Sequence, residues 1–312
     1  MSDILFPVYF PVAEVTANAL ILSGAGGAVG FLSGLFGVGG GFLMTPLLIM
    51  LGIPTEVAIA TGANQAVATS VSSAYVHWFR GNVDAKMGFI LLLGGFVGSI
   101  LGVWSVALLR QIGQFDLVIG LSYFVLLGVI GAAMFIESVS AWVKSSGTNG
   151  SARGSYGHTW IQGLPFKTRF RRSKLYMSMI PPAVIGVFVG LMTAIMGVGG
   201  GFVLVPAMVY LLRMRTSVAI GTSAFQIVFV GALTTLLQAS INHSVDILLA
   251  TLLILGGVIG AQIGARVGAR LKGEQLRALL ALLVLIMSVR VGFDLVRKPS
   301  EIYSTTVLRQ DH

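Results

Sequence analysis

The sequence predicts an all-α polytopic membrane protein made of two homologous repeats. Three observations carry that prediction. Only 10% of the 312 residues are charged, while 55% are hydrophobic and the mean hydropathy is +0.91; a soluble domain carries about 25% charge. Glycine contributes 41 residues, nearly twice its ordinary share of about 7%. Glycine is costly in a water-exposed helix, yet it serves where membrane helices pack closely or break. Third, the second half of the chain repeats the glycine, proline, glutamine and aspartate pattern of the first. So few solvating groups exclude a soluble enzyme, a disordered chain and a nucleic-acid binder. The net charge of +9 reads as basic inner loops. With no cysteine, disulfides, thiolate chemistry and cysteine metal sites are excluded.

The elements follow in order. Residues 1–16 carry no Lys or Arg and include Asp3 and Glu14. They lack the basic start of a cleaved leader, so the first apolar stretch reads as a retained span. A spanning helix needs about 20 apolar residues, which predicts spans at 17–36, 56–78, 86–109 and 116–137. Residues 138–176 are rich in Ser, Gly, Lys and Arg, with the run Lys167, Arg169, Arg171, Arg172 and Lys174, and read as an extramembrane loop. Further spans are predicted at 177–196, 217–241, 247–269 and 275–296. Two apolar pieces, 42–53 and 202–213, each follow a glycine cluster. At about 12 residues, roughly 18 Å as helix, they are too short to cross a core of about 30 Å and read as broken or re-entrant helices. About eight full spans and two short helices result. The domain reading is a first membrane repeat at 1–137, a basic cytoplasmic loop at 138–176, a second membrane repeat at 177–298 and a polar tail at 299–312.

The duplication is collinear. Gly37-Val38-Gly39-Gly40-Gly41-Phe42 with Pro46 matches Gly197-Val198-Gly199-Gly200-Gly201-Phe202 with Pro206, at an offset of 160. The helix carrying Thr61 and Gln65 matches the one carrying Thr222 and Gln226 at an offset of 161. Asp84 matches Asp246, and Gly94-Gly95-x-x-Gly98-x-x-x-Gly102 matches Gly256-Gly257-x-x-Gly260-x-x-x-Gly264, at an offset of 162. With the 138–176 loop inside, inverted repeats place Arg80, Lys86, Arg213, Arg215, Arg266, Arg270, Lys272 and Arg277 on the same side, as the positive-inside rule favours.

Function is expected at the breaks. Broken backbone survives in a bilayer only when buried in protein or lining a cavity. A helix restarting at Phe42 or Phe202 aims free N–H groups at the break, so two such breaks make a backbone cradle for an anion. Its expected members are Gly37, Gly39, Gly40 and Gly41 with Gly197, Gly199, Gly200 and Gly201. Thr61, Asn64 and Gln65 on one flanking helix and Thr222, Ser223 and Gln226 on the other supply buried polar groups. His77 is a proton or gating candidate. Asp84 and Asp246 read as helix caps. Asp116, Glu137 and Asp294 lie near span ends, so the carboxylates of a cation-coupled pump are missing. No nucleotide loop, zinc motif or nucleophile elbow is present, and neither a catalytic set nor a metal or cofactor site is expected.

The duplicated Gly-x-Gly-Gly-Gly-(x)4-Pro, the Thr-x-x-x-Gln helix and the Gly-Gly-x-x-Gly-x-x-x-Gly helix resemble the sulfite exporter TauE/SafE family of membrane permeases. The likeness covers roughly 17–109 and 177–270 and includes the duplication. It implies a multi-pass inner-membrane transporter of a small sulfur-containing anion, sulfite or an organosulfonate, with the bilayer and that anion as partners. It carries over to Gly37, Gly39, Gly40, Gly41, Pro46, Thr61 and Gln65, and to Gly197, Gly199, Gly200, Gly201, Pro206, Thr222 and Gln226. Gly62-Ala63-Asn64 stands where the second repeat has Ser223-Ala224-Phe225, so the two sets of polar contacts are unequal. The alternative reading is a non-transporting membrane subunit that docks a partner through its basic loop.

Overall fold

The computed structural model describes residues 7–36, 39–112, 115–145, 167–170, 172–173, 175–268 and 273–296. The described chain is mainly helical: α1 (Ala19–Phe36), α2 (Gly41–Met50), α3 (Thr55–Phe79), α4 (Ala85–Ile112), α5 (Phe115–Ser145), α6 (Ile180–Met196), α7 (Gly201–Pro206), α8 (Thr216–Ile241), α9 (Ile247–Gly268) and α10 (Gly273–Val296). A π turn, Ala207–Leu211, prolongs α7. The predicted spans lie on these helices within a few residues at most ends.

Five segments are long and apolar enough to cross a membrane: Ala19–Phe36, Ala85–Gln111, Phe115–Ile136, Thr216–Asn242 and Ile247–Gly268. The others fall short for separate reasons. The 25 residues of α3 are diluted by threonine, serine, asparagine and glutamine. Helix α6 has 17 residues, and the apolar part of α10 is Leu279–Phe293.

Two features depart from the all-α expectation. Residues β1 (Pro7–Phe10) and β2 (Val15–Asn18) form an antiparallel hairpin, as do β3 (Lys167–Phe170) and β4 (Leu175–Ser178). Phe10 and Phe170 are buried at matching places in the two hairpins. The 138–176 segment is therefore not wholly loop: α5 runs to Ser145, and β3 and β4 occupy its end. Residues 146–166 and the tail at 299–312 lie outside the described residues.

Asp84 and Asp246 cap their helices as expected. Met87 N donates to Asp84 Oδ1 at 3.2 Å, and Leu249 N donates to Asp246 Oδ1 at 3.1 Å. Each carboxylate also holds a distant hairpin. Ser173 N and Oγ donate to Asp84 Oδ2 at 3.0 and 2.7 Å, while Val12 N donates to Asp246 Oδ2 at 3.1 Å. A buried carboxylate is stable only when its oxygens are bonded in this way.

The helices pair across the two halves. Gly26, Gly30 and Gly34 of α1 lie against Leu253, Gly257 and Ala261 of α9, so these helices run parallel. Gly94, Gly98 and Gly102 of α4 lie against Ala183, Val187 and Leu191 of α6, again parallel. A Cβ on Gly30 or Gly98 would overlap the facing backbone carbonyl, which is why small residues occupy these stripes. In contrast, α3 and α8 are antiparallel, with Gly221 beside His77 and Gly231 beside Val67. So are α5 and α10, where Phe124 meets Gly292 and Gly128 meets Ser288.

Candidate functional site

The two glycine clusters break the chain through backbone torsions that L side chains rarely adopt. Gly39 has φ +79°, and Gly199 and Gly200 each have φ +72°. Gly197 ends α6, donating its N–H to Thr193 O at 2.8 Å. The helices then restart: Leu43 and Met44 N donate to Gly40 O, and Val203 and Leu204 N donate to Gly200 O. The N–H groups of Gly41, Phe42, Gly201 and Phe202 have no backbone acceptor among the described residues, as at any helix start. Gly37 lies outside the described residues.

The structure brings the two breaks together. A Cβ on Gly41 would overlap the backbone of Gly197 and Val198. Gly39 and Gly199 both lie against Ala66 of α3 and Ile227 of α8. Phe42 and Phe202 stack, with ring centroids 5.1 Å apart and planes 19° apart. The Tyr123 hydroxyl of α5 donates to Met196 O just before the second break. Thr45 Oγ1 of α2 donates to Ala58 O at 3.4 Å. Sequence reasoning missed Tyr123 and Thr45. The signal was a phenol midway along an apolar span, where its hydroxyl needs a protein partner.

The flanking glutamines occupy separate junctions. Gln65 is fully buried in α3 against Gly257, and its Nε2 donates to Gly26 O at 3.3 Å. Gln226 is 1% exposed in α8, against Gly95 of α4. Gln65 Oε1, both amide atoms of Gln226, Thr61 Oγ1 and Ser70 Oγ are buried without a hydrogen-bond partner. Unpaired polar atoms at this depth are costly unless something else binds them. Thr222 is committed elsewhere: its Oγ1 accepts from Asp84 N at 3.1 Å. Ser223 Oγ donates to Ile220 O at 2.9 Å. Asn64 is half-buried, while Phe225 at the matching position stacks with Trp78, the centroids 5.9 Å apart. His77 lies in the last turn of α3 beside Gly221, its Nδ1 buried and unpaired. Among the described residues no group of three His, Asp or Glu side chains could hold a metal.

The family profile described as sulfite exporter TauE/SafE matches residues 22–291. A probable membrane transporter protein of Xylella fastidiosa (strain 9a5c) is 30% identical over 247 residues, 78% of this chain and 83% of that protein. The probable membrane transporter protein YjnA of Bacillus subtilis is 26% identical over 263 residues, 84% of this chain and 95% of that protein. Sulfite exporter TauE/SafE family protein 1 of Arabidopsis thaliana is 38% identical over 89 residues, covering 28% of this chain and 20% of that protein. No solved structure matches the chain. The chain belongs to the TauE/SafE family and is an integral multi-pass membrane transporter, not an enzyme.

Proposed function

From membership of the TauE/SafE family, we propose that this transporter is a permease for a small sulfur-containing anion, sulfite or an organosulfonate, in the inner membrane. The anion is held where the two broken helices meet. One observation carries the reading: buried, unpaired polar atoms of Thr61, Gln65, Ser70 and Gln226 flank two glycine breaks that touch each other. Backbone N–H groups and neutral amides suit a passing anion, because they replace its hydration without the grip of a buried arginine. The cradle comprises Gly39, Gly40, Gly41, Gly199, Gly200 and Gly201, with Gln65 and Gln226 at its two flanks.

The repeats are read as inverted, with eight full spans and two short helices. The antiparallel run of α3 against α8, and of α5 against α10, supports this, since matched elements of inverted repeats run in opposite directions. The end bearing the β3–β4 hairpin is cytoplasmic, in keeping with the positive-inside rule. Glycine contacts join α1 to α9 and α4 to α6, which supports mixed pairs as the moving bodies in place of the two sequence halves. Alternating access instead moves these two mixed pairs about α3 and α8.

The test is anion flux in proteoliposomes, with sulfite, sulfoacetate, an aromatic sulfonate and sulfate offered in turn. Gln226→Ala and Gly39→Ala are expected to cut flux at least tenfold while leaving a monodisperse protein. Unchanged flux in both variants places the site elsewhere, and no flux of any sulfur anion by the wild-type protein rejects the substrate class.

A further inference from the structure

We infer that the cleft between α1, α3 and α9 is the cytoplasmic port through which a free small anion reaches the central site. This inference rests on the permease reading and adds a route and a sidedness to it. The cleft encloses about 530 Å³. Its polar lining is Thr69, Ser72, Ser73 and Gln262, with Arg80 and Arg266 among its exposed residues. Arg80 and Arg266 stand at the α3 and α9 ends that share one end of the bundle, and neither guanidinium has a carboxylate partner among the described residues. Arg172 of the β3–β4 hairpin adds a third positive group nearby, donating to Gly81 O at 3.4 Å.

The hydroxyls continue inward from this mouth. Arg80, just past the end of α3, lies eleven positions beyond Thr69, a descent of about 16 Å along the helix. At the floor, Thr69 Oγ1 donates to Gln65 O at 3.0 Å. The next residue, Ser70, lies against Gly39 of the first break with its hydroxyl buried and unpaired. Charge at the rim and hydroxyls down one face are the features that concentrate an anion and then take over its hydration.

The matching place in the other junction is built differently. Arg80, Arg266, Gln262 and Ser72 correspond to Ile241, Trp104, Ile100 and Leu233. Ser73 corresponds to Thr234, which is fully buried and hydrogen-bonded to Ser99 at 2.7 Å. Gln238 Nε2 closes that side further by donating to Ala194 O at 3.0 Å. One junction has an open cleft with arginines at its rim; the other has apolar residues at the matching rim positions and a buried polar latch.

The chain has no cysteine, so single-cysteine labelling of the full-length protein in vesicles reports on the port directly. Ser73→Cys is reacted with a thiosulfonate bearing an ethylsulfonate group and with its trimethylammonium counterpart. Relative to a free thiol, the anionic reagent is expected to be favoured about tenfold, within the range of electrostatic focusing. Arg80→Gln with Arg266→Gln should erase the preference, and Thr234→Cys should stay unlabelled in the same state. No preference, or one that survives loss of both arginines, overturns the port. Labelling in phosphatidylcholine vesicles that disappears in phosphatidylglycerol vesicles also overturns it, in favour of a lipid headgroup seat. If the preference holds but no sulfur anion is transported, the anion port stands and the substrate reading falls. If sulfonate flux persists at wild-type rate in the double arginine variant, the reading of substrate stands and the port falls.

Discussion

The α1/α3/α9 and α4/α6/α8 junctions share a plan and differ in their filling. In each, a parallel helix pair is joined through glycines, and a buried glutamine of a third helix lies against the glycine-rich member. In the first junction a cleft reaches Thr69, one turn beyond Gln65, and sets Ser72, Ser73, Arg80 and Arg266 beside apolar residues such as Val71, Tyr75 and Val76. In the second, Ser99, Thr234, Gln238 and Asn242 bond to protein and fill the corresponding region. The comparison teaches that the scaffold tolerates either a path or a plug at the same place. The choice depends on a few side chains along α3 and α8.

The largest expected effects test the shared plan. Gly98→Leu and Gly260→Leu each drive a side chain into a facing backbone carbonyl. Each should cost about 3 kcal/mol or more, the upper range for overpacking, and abolish a monodisperse peak in detergent. Tolerance at one position and not the other would break the equivalence of the two helix pairs.

Next come the carboxylates. Asp84→Ala and Asp246→Ala each remove three hydrogen bonds to N–H or O–H donors. Each should lower stability by about 2 kcal/mol, read as a loss in thermal melting. A large loss from only one of them would show that the two hairpins are not anchored alike.

The latch is a smaller effect with a sharper meaning. Thr234→Val removes the 2.7 Å bond and leaves the buried Ser99 hydroxyl without it, which should cost the closed junction about 1 kcal/mol. That is roughly a fivefold gain in the opened state, measurable as faster labelling of Leu233→Cys. Conversely, Ala261→Ser gives Ser73 the partner that Thr234 has and should slow labelling of Ser72→Cys. The smallest effect is expected at the Arg110–Glu56 ion pair, 2.7 Å long with 24% and 37% of its side chains exposed. Glu56→Gln, which leaves the Arg110 bond to Asn242 O in place, should cost less than about 1 kcal/mol, and less still at high salt.

Helix positions were legible because apolar length is written directly in the sequence, and the glycine clusters located the breaks. The hairpins were not legible. Four-residue strands give little periodicity, and Lys167, Arg169 and Arg172 read as a solvated run. The repeated trace upstream of α1 and α6 was limited to Phe6 and Phe10 against Phe166 and Phe170. The caps at Asp84 and Asp246 could be read locally, but their second bonds join residues far apart in sequence. The site was half legible. That the breaks matter could be read; that Gln65 and Gln226 serve different helix pairs could not, because only the fold decides which helix each one faces. The open cleft depends on several unmatched residues, and a search for repeated patterns passes over them.

The exchange of partners between halves also governs how the protein is made. When the first half leaves the ribosome, the glycine stripe of α1 has no mate; α9 is synthesised more than 200 residues later. Until then the stripe of α1 lacks its partner, whereas α4 waits only for α6, the first helix of the second half. Assembly thus ends in a late clasping of two incomplete halves. Two fragments divided between Ser145 and Lys167 and expressed together should reconstitute one transporter, whereas either fragment alone should be degraded.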